Sequence, residues 1–311
     1  LPSRPTPAEP LALNLTRLVL GDKDKPTDAD DPPPDPSTLP PFRIKISDLI
    51  KGGLHIKDVR LRTLPQPRGL LLQELRANTG HLTIQGEGEW MLDDQGHHQT
   101  RLTLDLASED VGSALDELGF SNTLRRGRLE DTQLALHWPD APDRFAWAIL
   151  EGGARLNVRE GVLENVEPGA GRILGLLDIS ALPRRLMLDF GDVFGEGLRF
   201  DELAATLRFR EGRAITELMQ IKGPSVEIAL KGYSDMLNRT MHYDVVVVPA
   251  LGHMLPIIGT VAGGPLVGGA VFLLQKVFDQ ISGEGIGFNY RVSGSWDAPV
   301  VEGVETKESR P

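Results

Sequence analysis

The chain contains no cysteine, which removes structural disulfides and thiolate catalysis, and suits an oxidising compartment without requiring one. It is also short of positive charge: 33 Lys and Arg stand against 44 Asp and Glu, a net charge of -11. Affinity for nucleic acid comes mainly from cations set against phosphates, so this balance disfavours a nucleic-acid partner. Contact with a membrane through apolar side chains stays open. Catalytic signatures are missing as well: there is no G-x-S-x-G elbow, no H-E-x-x-H, no phosphate loop ending in Gly-Lys-Ser/Thr and no calcium loop. No carboxylate pair or Ser/His arrangement has distinctive spacing. The expectation is a protein that is not an enzyme and holds no cofactor or metal. The opening LPSRPTPAEP has neither the basic nor the apolar part of an export signal. The chain therefore reads as a piece of a longer one, with its signal or anchor elsewhere.

What is present is alternation. At 311 residues the chain is long enough for one or two cores. LALNLTRLVL (Leu11 to Leu20) reads as a strand, and the Asp- and Pro-rich Gly21 to Pro41 as a disordered loop between two strands. From Phe42 onward a period of two dominates, in Phe42, Ile44 and Ile46, in Leu54 and Ile56, and in Val59 and Leu61. It continues in Leu102, Leu104 and Leu106, in Leu134, Leu136 and Trp138, and in Phe145, Trp147 and Ile149. It returns in ATLRFR with Leu207 and Phe209, in Val226, Ile228 and Leu230, and in Phe288, Tyr290 and Val292. Hairpin signals stand between runs at Asp94-Gln95-Gly96, Glu160-Gly161, Glu211-Gly212 and Lys222-Gly223-Pro224. The pattern predicts a mainly β chain, a long antiparallel meander with one wet face. Helices are few: one near 109–119, with Ser108 as candidate N-cap and Gly119 as stop, and one near 169–185, broken at Pro183. These cannot cover so many strands. The apolar face must meet a second sheet, close into a barrel, or shelter a ligand with long hydrocarbon chains.

One stretch differs from all others. Val245 to Gln275 holds no Asp, Glu, Lys or Arg, and three prolines and six glycines interrupt it. It reads as a strand followed by two short apolar helices. A buried helical plug, a surface that meets lipid and a membrane span are the alternatives. Elsewhere, Gly169-Ala-Gly171-Arg-Ile-Leu-Gly175 imitates a dinucleotide fingerprint, but its spacing is one residue too long and the flanking strands sit at hairpin spacing. His97 and His98 are adjacent and read as a loop tip rather than a metal site.

The run EPGAGRILGLLDISALPRRLMLDFGDVFGEGLRFDELAATLRFREGRA (Glu167 to Ala214), the Val245 to Pro249 strand, the Gly- and Pro-interrupted apolar segment and YRVSGSWDAP (Tyr290 to Pro299) together resemble the C-terminal region of the YhdP-type, AsmA-like envelope proteins. The resemblance implies a twisted, U-shaped, groove-like sheet with a C-terminal apolar helical segment. It implies a periplasmic rod of the Gram-negative envelope, anchored in the inner membrane by a missing N-terminal part and taking phospholipid towards the outer membrane. A groove lined by Leu102, Leu104, Phe145, Trp147, Leu207, Phe209, Val226, Ile228, Val245 and Val247 follows from it. Leu255, Ile257, Ile258, Leu266, Val267, Phe272 and Leu273 would then contact the outer membrane. The corresponding organisation is a strand and loop over 1–41 and a sheet over 42–249, then an apolar helical segment over 250–281, last strands over 282–301 and a polar tail over 302–311. A scaffolding β-domain with no lipid cargo is the alternative.

Overall fold

The computed structural model describes residues 10–20, 32–164, 197–249 and 288–304. Alternating sequence becomes strand because successive side chains point to opposite faces of the pleat. The strands are β1 (Leu11–Leu20), β2 (Phe42–Lys51), β3 (Leu54–Gln66), β4 (Gly69–Asn78), β5 (Thr83–Leu92), β6 (His98–Ser108) and β7 (Leu124–Trp138). They continue with β8 (Glu151–Leu163), β9 (Leu198–Arg210), β10 (Arg213–Lys222), β11 (Val226–Asp235), β12 (Thr240–Pro249), β13 (Phe288–Ser295) and β14 (Ala298–Val304). Among the described residues all fourteen lie in one sheet in chain order, and β1 and β14 remain its two edges, so the sheet is open and not a barrel. At about 4.8 Å per strand the sheet extends on the order of 60 Å.

Every pairing from β2 to β14 is antiparallel, but β1 runs parallel to β2, with Leu11 beside Phe42 and Leu18 beside Leu49. The sheet is therefore mixed, and the fully antiparallel expectation fails at its first strand. The reason is the length of the connection. A parallel neighbour needs a crossover of a dozen or more residues, and residues 21–41 supply it. Within its described residues, Asp35 caps a 3-10 turn at Pro36–Thr38 by accepting from Ser37 N at 2.8 Å, and Pro36 is buried against β4 and β5.

Three hairpin and strand signals resolve differently from what the sequence pattern predicts. Glu160-Gly161 lies inside β8, where Glu160 adopts φ 56 and lets the apolar phase slip, so that Val158 and Leu163 both reach the same core. Asp58, with φ 50, does the same between Ile56 and Val59, which makes their two runs one strand. At Glu211-Gly212 both residues have positive φ, 53 and 72, and close the β9–β10 hairpin as expected. The stretch containing Phe145, Trp147 and Ile149 is not a strand. It forms 3-10 turns at Pro142–Arg144 and Trp147–Ile149 in the β7–β8 connection, because Pro142 cannot donate to a ladder.

The single α-helix of the described residues, α1 (Val111–Glu117), packs on β7. Its N-cap is Asp110, which accepts from Ser113 N at 3.1 Å, while Ser108 accepts the Asp110 amide proton at 3.1 Å. The expected cap was two residues early. Gly112 allows close contact, since a Cβ there would lie 2.5 Å from the Leu124 carbonyl oxygen. The largest core joins α1 to β7–β13 through Val111, Leu163, Phe200, Leu203, Ile221, Tyr243 and Tyr290. On the opposite face Leu218, Ala229, Val246 and Val248 form a second buried cluster, which accounts for the unbroken run of valines in β12. The apolar helical segment after β12 and the helix near 169–185 lie outside the described residues.

Candidate functional site

Cross-strand register decides which side chains share a face. In one row Leu104 on β6 faces Leu134 on β7, then Ala154 on β8 and Leu207 on β9, continuing to Thr216, Gly232, Tyr243 and Val292. In the next row Leu102 faces Leu136, Gly152 and Phe209. Val247 faces Ile228 on one side and Phe288 on the other, and Val245 faces Leu230. Chained through these pairs, Leu102, Leu104, Leu207, Phe209, Val226, Ile228, Val245 and Val247 all lie on one face. It is apolar from β2, with Phe42, Ile44 and Ile46, to β13.

That face has two parts. Over β3–β7 the side chains of Leu61, Leu75, Ile84, Leu102, Leu104, Leu134 and Leu136 are half-buried and stay open to solvent. Gly86 and Gly88 on β5 keep this part shallow: a Cβ at Gly86 would fall 2.6 Å from Leu104 Cδ2, and one at Gly88 2.7 Å from Leu102 Cδ2. The two leucines therefore lie across the glycines and form a smooth floor. Over β10–β13 the face is packed. Val226, Ile228 and Val247 are 4%, 7% and 0% exposed, and Val245 packs against the same cluster. Leu134 and Leu136 belong to the accessible part although the sequence reading placed them only on a strand; the signal that finds them is the QLALHW alternation, once β7 is paired with β6.

The reverse face of β2–β7 is charged. Arg101 donates to Glu89 at 2.5 Å and Gln133 to Asp105 at 3.1 Å, and Arg43, Lys45 and Arg60 are exposed. Each rim of the apolar face carries a different element. At one, α1 is held by Glu117, which accepts from Thr79 Oγ1 at 2.6 Å and pairs with His81 Nδ1 at 2.6 Å. Burial works against the Glu117 charge, but the Thr79 and His81 hydrogen bonds outweigh it and hold its pKa below the usual carboxylate range. At the other rim the β7–β8 connection brings Phe145 and Trp147 beside Trp138 and Phe209.

Chemically the accessible part can offer apolar contact and little else. Among the described residues no group of three or more His, Cys, Asp or Glu could hold a metal ion. Tyr243 is buried with its hydroxyl 3.0 Å from Ser234 Oγ, and burial raises its pKa. Among the described residues no helix is long and apolar enough to cross a membrane. Leu255, Ile257, Ile258, Leu266, Val267, Phe272 and Leu273 lie outside the described residues.

Comparison with known proteins gives a family match. The family model described as YhdP protein matches residues 2–301. The chain is also similar to the intermembrane phospholipid transporter YhdP of Escherichia coli (strain K12), at 29% identity over 228 residues. That alignment covers 73% of this chain and 18% of the relative, so the chain spans only a small part of the relative's length. No solved structure matches.

Proposed function

Since the chain belongs to the YhdP protein family, we propose that it is a non-enzymatic segment of a periplasmic envelope protein that shelters phospholipid acyl chains on the apolar face of its sheet. In this role it helps move phospholipid between membranes, towards the outer membrane. One observation carries the reading: an open sheet presents a continuous, half-buried apolar floor over β3–β7, backed by a charged face. Contiguous exposed apolar surface of that kind marks a site that something apolar covers. Each methylene removed from water contributes about 0.8 kcal/mol, so an acyl chain lying partly along the floor is held without any polar contact. Movement along it needs no catalytic residue. Leu102, Leu104, Leu207 and Phe209 are the contacts assigned by the reading, joined by Leu134 and Leu136. Val226, Ile228, Val245 and Val247 extend the same face into its packed part. The 250–281 segment serves as contact with the outer membrane, and an upstream anchor in the inner membrane completes the assembly.

A second reading is favoured by that packed part. Where Val247 and Ile228 are enclosed, the sheet has the character of a scaffold with a protein core. Photo-crosslinking in cells separates the two. A photoreactive residue at Leu104 or Phe209 is expected to form phospholipid adducts, and one at the outward-facing Arg208 or Arg210 is not. Absence of adducts at all four positions would leave only the scaffold.

A further inference from the structure

Resting on the acyl-chain reading, we propose that Phe145 and Trp147 form a hydrocarbon contact that carries the apolar floor across a gap at β8. The gap is a matter of residue type. In the row from Leu136 to Phe209 the intervening position is Gly152, whereas in the row from Leu134 to Leu207 it is Ala154, whose methyl is enclosed at 2% exposed. No β8 side chain can fill it at Gly152, because φ is 132 there and a Cβ would lie 2.0 Å from the Ala135 carbonyl oxygen. A hydrocarbon chain crossing from β7 to β9 along the Leu136–Phe209 row therefore meets peptide backbone, and loses apolar contact, unless something else covers the strand.

The β7–β8 connection supplies that cover. Its base is fixed: Trp138 Nε1 donates to the Ala141 carbonyl at 2.9 Å, Thr100 Oγ1 donates to the Asp140 carbonyl at 2.7 Å, and Ala141 and Leu150 are 0% and 2% exposed. Between these anchors the two rings reach over the gap. Phe145 meets Trp138 on β7 edge-on, with centroids 5.6 Å apart, and Trp147 at 5.4 Å. Trp147 in turn lies 6.3 Å from Phe209 on β9. The aromatic chain thus runs from β7 to β9 and skips β8. Rings serving only as a brace would be enclosed, yet Phe145 and Trp147 are 43% and 39% exposed. Edge-on contacts leave ring faces free, and ring faces pack well against methylenes.

The test uses the full-length protein in cells, with photoreactive residues at Leu104 before the gap, at Phe145 within it and at Leu207 beyond it. Lipid adducts are expected at all three. In the Phe145→Ala/Trp147→Ala background, adducts at Leu207 are expected to fall several-fold while those at Leu104 persist, and Phe145→Tyr/Trp147→Phe restores them. Persistence at Leu104 also shows that the doubly substituted protein still folds. Adducts at Leu104 with none at Phe145, or unchanged adducts at Leu207 in the alanine background, would overturn the strap and leave the acyl-chain reading standing. Absence at every position overturns both.

Discussion

Single side chains in this sheet are constrained by what faces them across a strand. Gly161 on β8 lies opposite Phe200 on β9, and a Cβ at Gly161 would sit 2.4 Å from Phe200 Cζ. Phe200 is enclosed in the main core and has nowhere to move. Gly161→Ala is expected to destabilise the protein by about 1–3 kcal/mol, the usual cost of overpacking, read from the urea midpoint. Glu227 presents an electrostatic counterpart. On the face opposite the floor its Oε2 is buried without a hydrogen-bond partner, and burial pushes its pKa up, opposed in part by Lys222. The folded state then holds the proton more tightly than the unfolded chain, so Glu227 favours folding at low pH and this contribution disappears as pH rises through its folded pKa. Glu227→Gln is accordingly expected to raise the urea midpoint at neutral pH, with the gain shrinking as the solution is acidified. A gain independent of pH would show that folding does not raise the Glu227 pKa.

Among the elements, α1 depends most on its surroundings. Seven residues are too few for a helix to persist alone, so its cap and its docking contacts decide whether it forms. Asp110→Ala is expected to cost about 1 kcal/mol, and Asp110→Asn, which keeps the acceptor, much less. Glu117→Ala removes the acceptor of Thr79 and His81 and is expected to speed amide exchange both in α1 and in the β4–β5 turn. Because the Glu117 pKa is lowered in the fold, its contribution is present above the ordinary carboxylate pKa and is lost as pH falls through the lowered value. The protection of α1 amides, taken relative to their intrinsic exchange rate at each pH, should therefore fall on acidification in the unsubstituted protein, and much less in Glu117→Ala. The β7–β8 connection has the same logic: Phe145 and Trp147 alternate like strand residues, but Pro142 and the anchors at Asp140 and Ala141 turn them into a strap over the face.

At the scale of the whole molecule, the proposed function rests on a sheet that does not close. A barrel would enclose its apolar face and a sandwich would bury it against a second sheet; here fourteen strands in sequence order leave the β3–β7 floor accessible. Leu104→Asp and Leu136→Asp place a charge on that floor and are expected to lower co-purifying phospholipid several-fold. Arg101→Gln, on the reverse face, is expected to leave it unchanged. Equal loss in all three would trace the effect to folding rather than to the floor. The same openness gives the two edges different characters. β1 is parallel and exposes Leu11 and Val19, whereas β14 is antiparallel and exposes Val300 and Val304.

Alternation along the chain determined by itself that the protein is mainly β and which residues of Leu102, Leu104, Leu207 and Phe209 would point together within each strand, because a period of two is a property of consecutive residues. Block order from Glu167 to Pro299 likewise sufficed for the family. Tertiary structure alone decided the rest. Phase slips at Asp58 and Glu160 depend on a single φ each, which composition does not encode. The parallel entry of β1 depends on where a long connection delivers the chain, not on the residues of β1. Exposure separates the half-buried Leu104 from the enclosed Val247 on one face, and both read alike in sequence because each is an apolar residue at an alternating position. What distinguishes them is how far the rest of the chain covers each part of the sheet, a long-range property that no local pattern carries.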